Sequence, residues 1–118
     1  MKHWVLRIMP WLLASLLGAC SPGPLLSEGG FNSPDPAARL YAIRRAGQQR
    51  DRLAVRPLIE RLNSDDAAER LMSIQSLERI TATRLDYDPY APAGQREEAI
   101  TRWVEFAQSP EFSKGKPQ

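Results

Sequence analysis

Asp35-Pro-Ala-Ala-Arg-Leu-Tyr-Ala-Ile-Arg-Arg-Ala46 and Asp66-Ala-Ala-Glu-Arg-Leu-Met-Ser-Ile-Gln-Ser-Leu77 are two copies of one pattern, set 31 residues apart. The pairs Asp35/Asp66, Ala37/Ala68, Arg39/Arg70, Leu40/Leu71 and Ile43/Ile74 are identical. Each copy opens on an aspartate, a residue whose short carboxylate accepts the free N–H groups of a helix start. Apolar residues then recur at three and four, the spacing of a single buried helical face. Cap, arginine and core positions therefore return together, and internal repeats at such a period mark stacked helical units. No segment alternates strictly between apolar and polar, so the expected fold class is all-α.

Working outward from this pair, the spacing predicts four helices. The first covers 36–46, with Asp35 as cap, Pro36 at the first helical position, Leu40, Ile43 and Ala46 as its stripe, and Gly47 suited to its end. The second covers 52–63, where Val55, Leu58, Ile59 and Leu62 form one face and Pro57 either sits in a late-starting first turn or bends the helix. The third covers 67–82; Asp66 caps it, Glu69 completes a capping box, and Leu71, Ile74, Leu77 and Ile80 are buried. The fourth covers 95–107 and presents Ile100, Trp103, Val104 and Ala107, so Trp103 is expected to cap the core. These helices make one domain at 35–107, followed by a disordered tail at 108–118.

Pro57-Leu-Ile-Glu-Arg-Leu, the acidic turn Asp65-Asp66, and Arg70-Leu with Ile74 and Leu77 resemble a HEAT repeat: a helix with a proline, an acidic turn, and a second helix with an early arginine. The first helix is similar to the second helix of a preceding unit, so the resemblance covers about 35–82. Ile80-Thr81, Tyr87-Asp88-Pro89, Arg96, Ala99 and Trp103 are similar to the end of many bacterial HEAT-like domains. A period of 31 is short for that family. The resemblance implies short antiparallel helical hairpins and protein–protein interaction, with Asp66 and Arg70 at the positions that hydrogen-bond along a HEAT stack. A plain four-helix bundle is the alternative, in which Asp66 and Arg70 are an exposed i, i+4 pair.

The N-terminus reads differently. Lys2 and Arg7 precede an apolar run at 8–17, and ten residues are too few to cross a bilayer, which takes about 20. A basic start, a short apolar core and small residues at a cut form a secretory signal. Leu17-Gly18-Ala19-Cys20 resembles the lipobox of bacterial lipoproteins, and that resemblance implies a signal peptide at 1–19 and a diacylglyceryl thioether on Cys20. Further acylation would make the anchor durable, since one chain binds a membrane only marginally. Pro, Gly and Ser are frequent from Ser21 to Pro34, so 20–34 reads as the lipidated cysteine and a flexible tether. Ser21, where an aspartate would signal inner-membrane retention, favours an outer-membrane location facing the periplasm in a Gram-negative cell.

Removal of the signal changes the chemistry. The 16 basic side chains become 14 without Lys2 and Arg7, matching the 14 acids, and the global excess that would attract nucleic acid disappears. His3 leaves too, so no His-based relay, Cys nucleophile or Cys/His zinc site can form once Cys20 is acylated. Asp86, Asp88 and Glu97 stand at positions 1, 3 and 12 of a calcium-loop count, but Tyr90 and Ala91 occupy positions 5 and 6, where that loop uses a ligand and a glycine. A turn with Tyr87 or Tyr90 packed on Trp103 is the simpler expectation. Glu97 and Glu98 favour the start of the fourth helix. No metal, cofactor, small-molecule substrate or catalytic residue is expected.

Charge is nonetheless uneven. Residues 39–61 carry seven arginines against Asp51 and Glu60, whereas 62–111 carry five arginines against ten acids. Arg44, Arg45, Arg52 and Arg56 are the expected partner contacts, because they flank the buried stripes of two adjacent helices. The combined reading is a membrane-anchored adaptor in the cell envelope that binds another envelope protein and performs no chemistry of its own. The alternative is a structural accessory or spacer of an envelope complex.

Overall fold

The computed structural model describes residues 30–115, and all regular structure among them is helical, as the apolar spacing requires. The signal segment 1–19, the tetrapeptide ending at Cys20, the tether as far as 29 and residues 116–118 lie outside the described residues. A 3-10 turn at Gly30–Asn32 leads to α1 (Pro36–Gln48). A second 3-10 turn, Arg52–Ala54, runs into α2 (Val55–Arg61), followed by α3 (Ala67–Thr81), α4 (Ala93–Gln108) and α5 (Pro110–Lys114).

The repeat seen in the sequence is a repeat of atoms. Asp35 and Asp66 have nearly the same backbone, φ −80°, ψ 116° and φ −79°, ψ 116°. Their carboxylates accept the N–H of Ala37 at 3.0 Å and of Ala68 at 2.8 Å. One step earlier, the hydroxyl oxygens of Ser33 and Ser64 accept the N–H of Asp35 and Asp66 at 3.2 and 3.1 Å. One turn later, Arg39 Nη1 donates back to the Ser33 carbonyl at 2.7 Å and Arg70 Nη1 to the Ser64 carbonyl at 2.8 Å. Each helix start is thus satisfied from both sides, which fixes the direction in which the chain enters.

Several boundaries differ from expectation for identifiable reasons. Gly47 does not end α1 but lies inside its last turn, where a Cβ would come within 2.8 Å of Ser76 Cα and 2.5 Å of Ser76 Oγ. The missing side chain lets α1 and α3 approach, and Ser76 Oγ donates to the Ile43 carbonyl at 2.8 Å across that contact. Pro57 is the third residue of α2, in the first turn, where its lack of an N–H costs no helical bond. α4 starts at Ala93, two residues earlier than expected, directly after Pro92. The tail is partly folded: Ser109 accepts the N–H of Phe112 at 3.3 Å, Pro110 takes the first position of α5, and Phe112 packs against the core. The last part of the presumed tether is folded as well, with Gly30 buried against Ala42 and Phe31 on the core.

α1 lies against α3, α2 across α3, and α4 against α2, while neither α1 with α2 nor α3 with α4 makes a comparable pair. In an up-and-down bundle the helices adjacent in sequence are the ones that pair. Here α1 and α3 form one layer and α2 and α4 a second. Ile43, Val55, Leu58, Leu62, Ile74, Leu77 and Trp103 are fully enclosed between them, each large side chain contributing about 1.5–3 kcal/mol. Leu40, Leu71 and Ile80 are only half-buried, and Val104, expected in the core, is exposed, with no helix beyond that side of α4 among the described residues.

Candidate docking surface

The connection from α3 to α4 closes the open side of α3 and shows what most of the polar groups are for. Arg84 to Tyr87 is a tight turn, with Leu85 and Asp86 both left-handed (φ 50° and 58°) and the Tyr87 N–H bonded to the Arg84 carbonyl at 3.0 Å. Two α4 side chains hold it: Trp103 Nε1 donates to the Arg84 carbonyl and Arg102 Nε to the Leu85 carbonyl, both at 3.1 Å. Tyr87 is buried and its hydroxyl donates to the Leu62 carbonyl at 2.6 Å. Burial raises its pKa above the usual phenolic range, although Arg70 and Arg96 pull the other way, so the donating proton is retained. Tyr87 shares the core with Trp103, while Tyr90 is exposed and the aromatic ring met edge-on by Trp103 is Phe106, at 5.6 Å. Asp88 accepts the N–H of Tyr90 at 2.8 Å; among the described residues no three metal-binding side chains gather.

Two expected pairings take another form. Glu69 does not reach back to the Asp66 N–H, which Ser64 already holds. It is 1% exposed, ion-paired with Arg39 Nε and accepts the Ser64 hydroxyl at 2.8 Å. Asp66 and Arg70 do not bond to each other. Asp66 serves its own helix, and Arg70 donates to the carbonyls of Ser64, Asp65 and Pro89 at 2.8, 3.0 and 2.9 Å. Both residues are structural, and Trp103, fully buried, is structural with them.

The four arginines expected at a partner surface divide into two groups. Arg44 is exposed and Arg45 half-exposed with its Nη1 bonded to the Tyr41 hydroxyl at 2.9 Å; both line a shallow recess with Tyr41, Gln48 and Gln49. Arg52 and Arg56 line a larger groove that also includes Gln49, so the two recesses adjoin. Arg52 is already engaged: its guanidinium lies 4.4 Å from the centre of the Phe112 ring and donates to the Phe112 carbonyl. Arg50, not singled out from the sequence, is exposed in the same groove, as is Leu53, at 90%. Arg44, Arg50 and Arg56 make no side-chain hydrogen bond or ion pair among the described residues, in contrast to Arg39, Arg70 and Arg96, which are tied to carbonyls or Glu69.

A second groove, along the seam of α2 and α4, has the opposite character. Ile59, Ile100 and Val104 line it with Glu60 and Glu97. Comparison with family models, curated proteins and solved structures gives no match.

Proposed function

We propose that this chain is a lipid-anchored adaptor of the cell envelope, attached through Cys20 and docking another envelope protein with the arginine-bearing side of its helical domain. The observation that carries the docking half is the division among the arginines. Those in the first helical turns are consumed by the fold, whereas Arg44, Arg50 and Arg56 are exposed and make no side-chain hydrogen bond or ion pair among the described residues. Isolated surface charges add little to folding, but a grouped positive surface steers an acidic partner and speeds its capture. The two-layer order of helices, with one capped arginine start stacked on the next, supports the HEAT-like reading and the interaction role it implies. The anchor half rests on Leu17-Gly18-Ala19-Cys20 and the apolar run before it.

Metabolic labelling with a fatty acid tests the anchor. Label should enter the wild-type chain and be lost in Cys20→Ser, because the sulfur is where the thioether is built. Incorporation that survives the substitution rules the anchor out. Chemical crosslinking in intact cells tests the docking: the adduct formed by the wild-type chain should be lost in Arg44→Glu/Arg45→Glu.

A further inference from the structure

The groove that holds Arg50, Arg52 and Arg56 is built rather than left over. After α1, Arg50 turns left-handed at φ 49°, its N–H bonded to the Gly47 carbonyl at 3.2 Å, and the Asp51 N–H bonds to the Ala46 carbonyl at 3.0 Å. The Asp51 carboxylate then accepts the Leu53 N–H at 3.0 Å. This fixes the short turn so that Ala54 and Val55 enter the core while Leu53 is turned outward. The opposite wall is α5. Phe112 packs on Phe106 at 5.6 Å, Phe106 meets Trp103 at 5.6 Å, and Arg52 lies over Phe112, so the wall is tied to the centre of the core.

Between the walls is a groove of about 590 Å³, within the size range of ligand sites. Its apolar groups are Leu53, Ala107 and Phe112, and its cations are Arg50, Arg52 and Arg56. Among the described residues its one carboxylate, Asp51, is occupied by the Leu53 N–H. Three cations around an apolar strip call for an anion next to an apolar group.

We propose that this groove binds a short acidic peptide segment of the partner protein, one carboxylate lying between Arg50 and Arg56 and a neighbouring large apolar side chain covering Leu53. The inference rests on the docking reading above and names the class of ligand. The groove between the turn at 50–54 and α5 admits an extended chain, and Leu53, 90% exposed, stands open to one of its side chains. Carboxylate is the matching charge, and Arg50 and Arg56, which make no side-chain hydrogen bond among the described residues, can make paired hydrogen bonds to it. Covering Leu53 removes apolar surface from water.

The experiment uses the full chain in detergent micelles and two fluorescein-labelled hexapeptides, a Leu-Phe pair flanked by two carboxylates on each side and the same pair flanked by lysines. Fluorescence anisotropy should show saturable binding of the acidic peptide alone. Arg50→Glu, Arg56→Glu and Leu53→Ser should each weaken it by about tenfold, with unchanged circular dichroism melts. Arg79→Glu, the same charge change outside the groove, should leave it intact. Equal binding of both peptides, no binding of either, or equal loss in Arg79→Glu overturns the proposal. So does attachment to phosphatidylglycerol vesicles that depends on Leu53 while the acidic peptide fails. If the groove variants bind like wild type yet Arg44→Glu/Arg45→Glu abolishes crosslinking in cells, the docking reading stands and the groove assignment falls.

Discussion

At Ser33 and again at Ser64, a serine hydroxyl takes the N–H of a capping aspartate, and an arginine one turn on returns to the serine carbonyl. The two arginines part at Nε. Arg39 meets Glu69 on the next helix of its layer, whereas Arg70, with no further helix of that layer among the described residues, meets the Pro89 carbonyl of the closing loop. The same local sequence therefore builds the same local structure, and position in the stack decides the distant partner. The first contact is an ion pair between neighbouring helices of one layer; the second is a strap that fastens the end.

The largest effect should come from breaking the ion pair on its buried side. Glu69→Ala strips Arg39 Nε and the Ser64 hydroxyl of their acceptor and should cost about 3–5 kcal/mol, read by chemical denaturation, with Glu69→Gln costing less. A loss no greater than that of the exposed Glu98→Ala would mean that the pair is not holding the helices. At the second copy, Arg70→Ala removes three bonds to carbonyls and should cost about 1.5–3 kcal/mol. Hydrogen exchange should quicken at 84–91 while α1 stays protected, and equal quickening in both would dissolve the contrast.

A third test uses positions where the copies differ in kind. Gly47 sits where α1 touches α3, and its counterpart 31 residues on, Glu78, is exposed. Gly47→Ala should destabilise by about 1–3 kcal/mol, while Glu78→Ala should change stability by no more than about 0.5 kcal/mol, compared by thermal melts. Equal shifts would mean that the close approach does not matter. The smallest effect should also be the most even: Asp35→Ala and Asp66→Ala should each cost about 1 kcal/mol. A clear inequality between them would show that the two starts are alike in geometry but not in energy.

The helices and their caps were legible because both signals are local. Asp35, Pro36 and Asp66 act within three residues of themselves, and Val55, Leu58, Ile59 and Leu62 repeat at the spacing of one turn. Glu69 was misread for the same reason: a glutamate three residues after a cap fits a capping box, while its actual partner is 30 residues away. The repeat held the missing clue. Stacking the copies sets the helix of Arg39 beside the helix of Glu69, within reach of an ion pair. Gly47 reads as a stop from sequence because a close approach of helices leaves no mark on either strand of text by itself. Ser109-Pro110-Glu111 did carry a helix-start signal, but five residues are too few for a periodic stripe, so Phe112 and the wall of the groove were not foreseen. Of the expected contact arginines, exposure at Arg44 and Arg56 followed from the buried faces of α1 and α2, whereas the engagement of Arg52 by Phe112 depended on that unforeseen wall.

The measurement that bears most directly on the account is crosslinking in intact cells of the wild-type chain and of Arg44→Glu/Arg45→Glu, at low and at moderate ionic strength, with the thermal melt of each recorded. If the arginine side docks an acidic partner, the melts agree within about 0.5 kcal/mol. The wild-type adduct is then lost in the variant, and it weakens in the wild type as salt screens the charges. Equal capture of the partner by both chains at low ionic strength would contradict the account and turn attention to the acidic seam of α2 and α4.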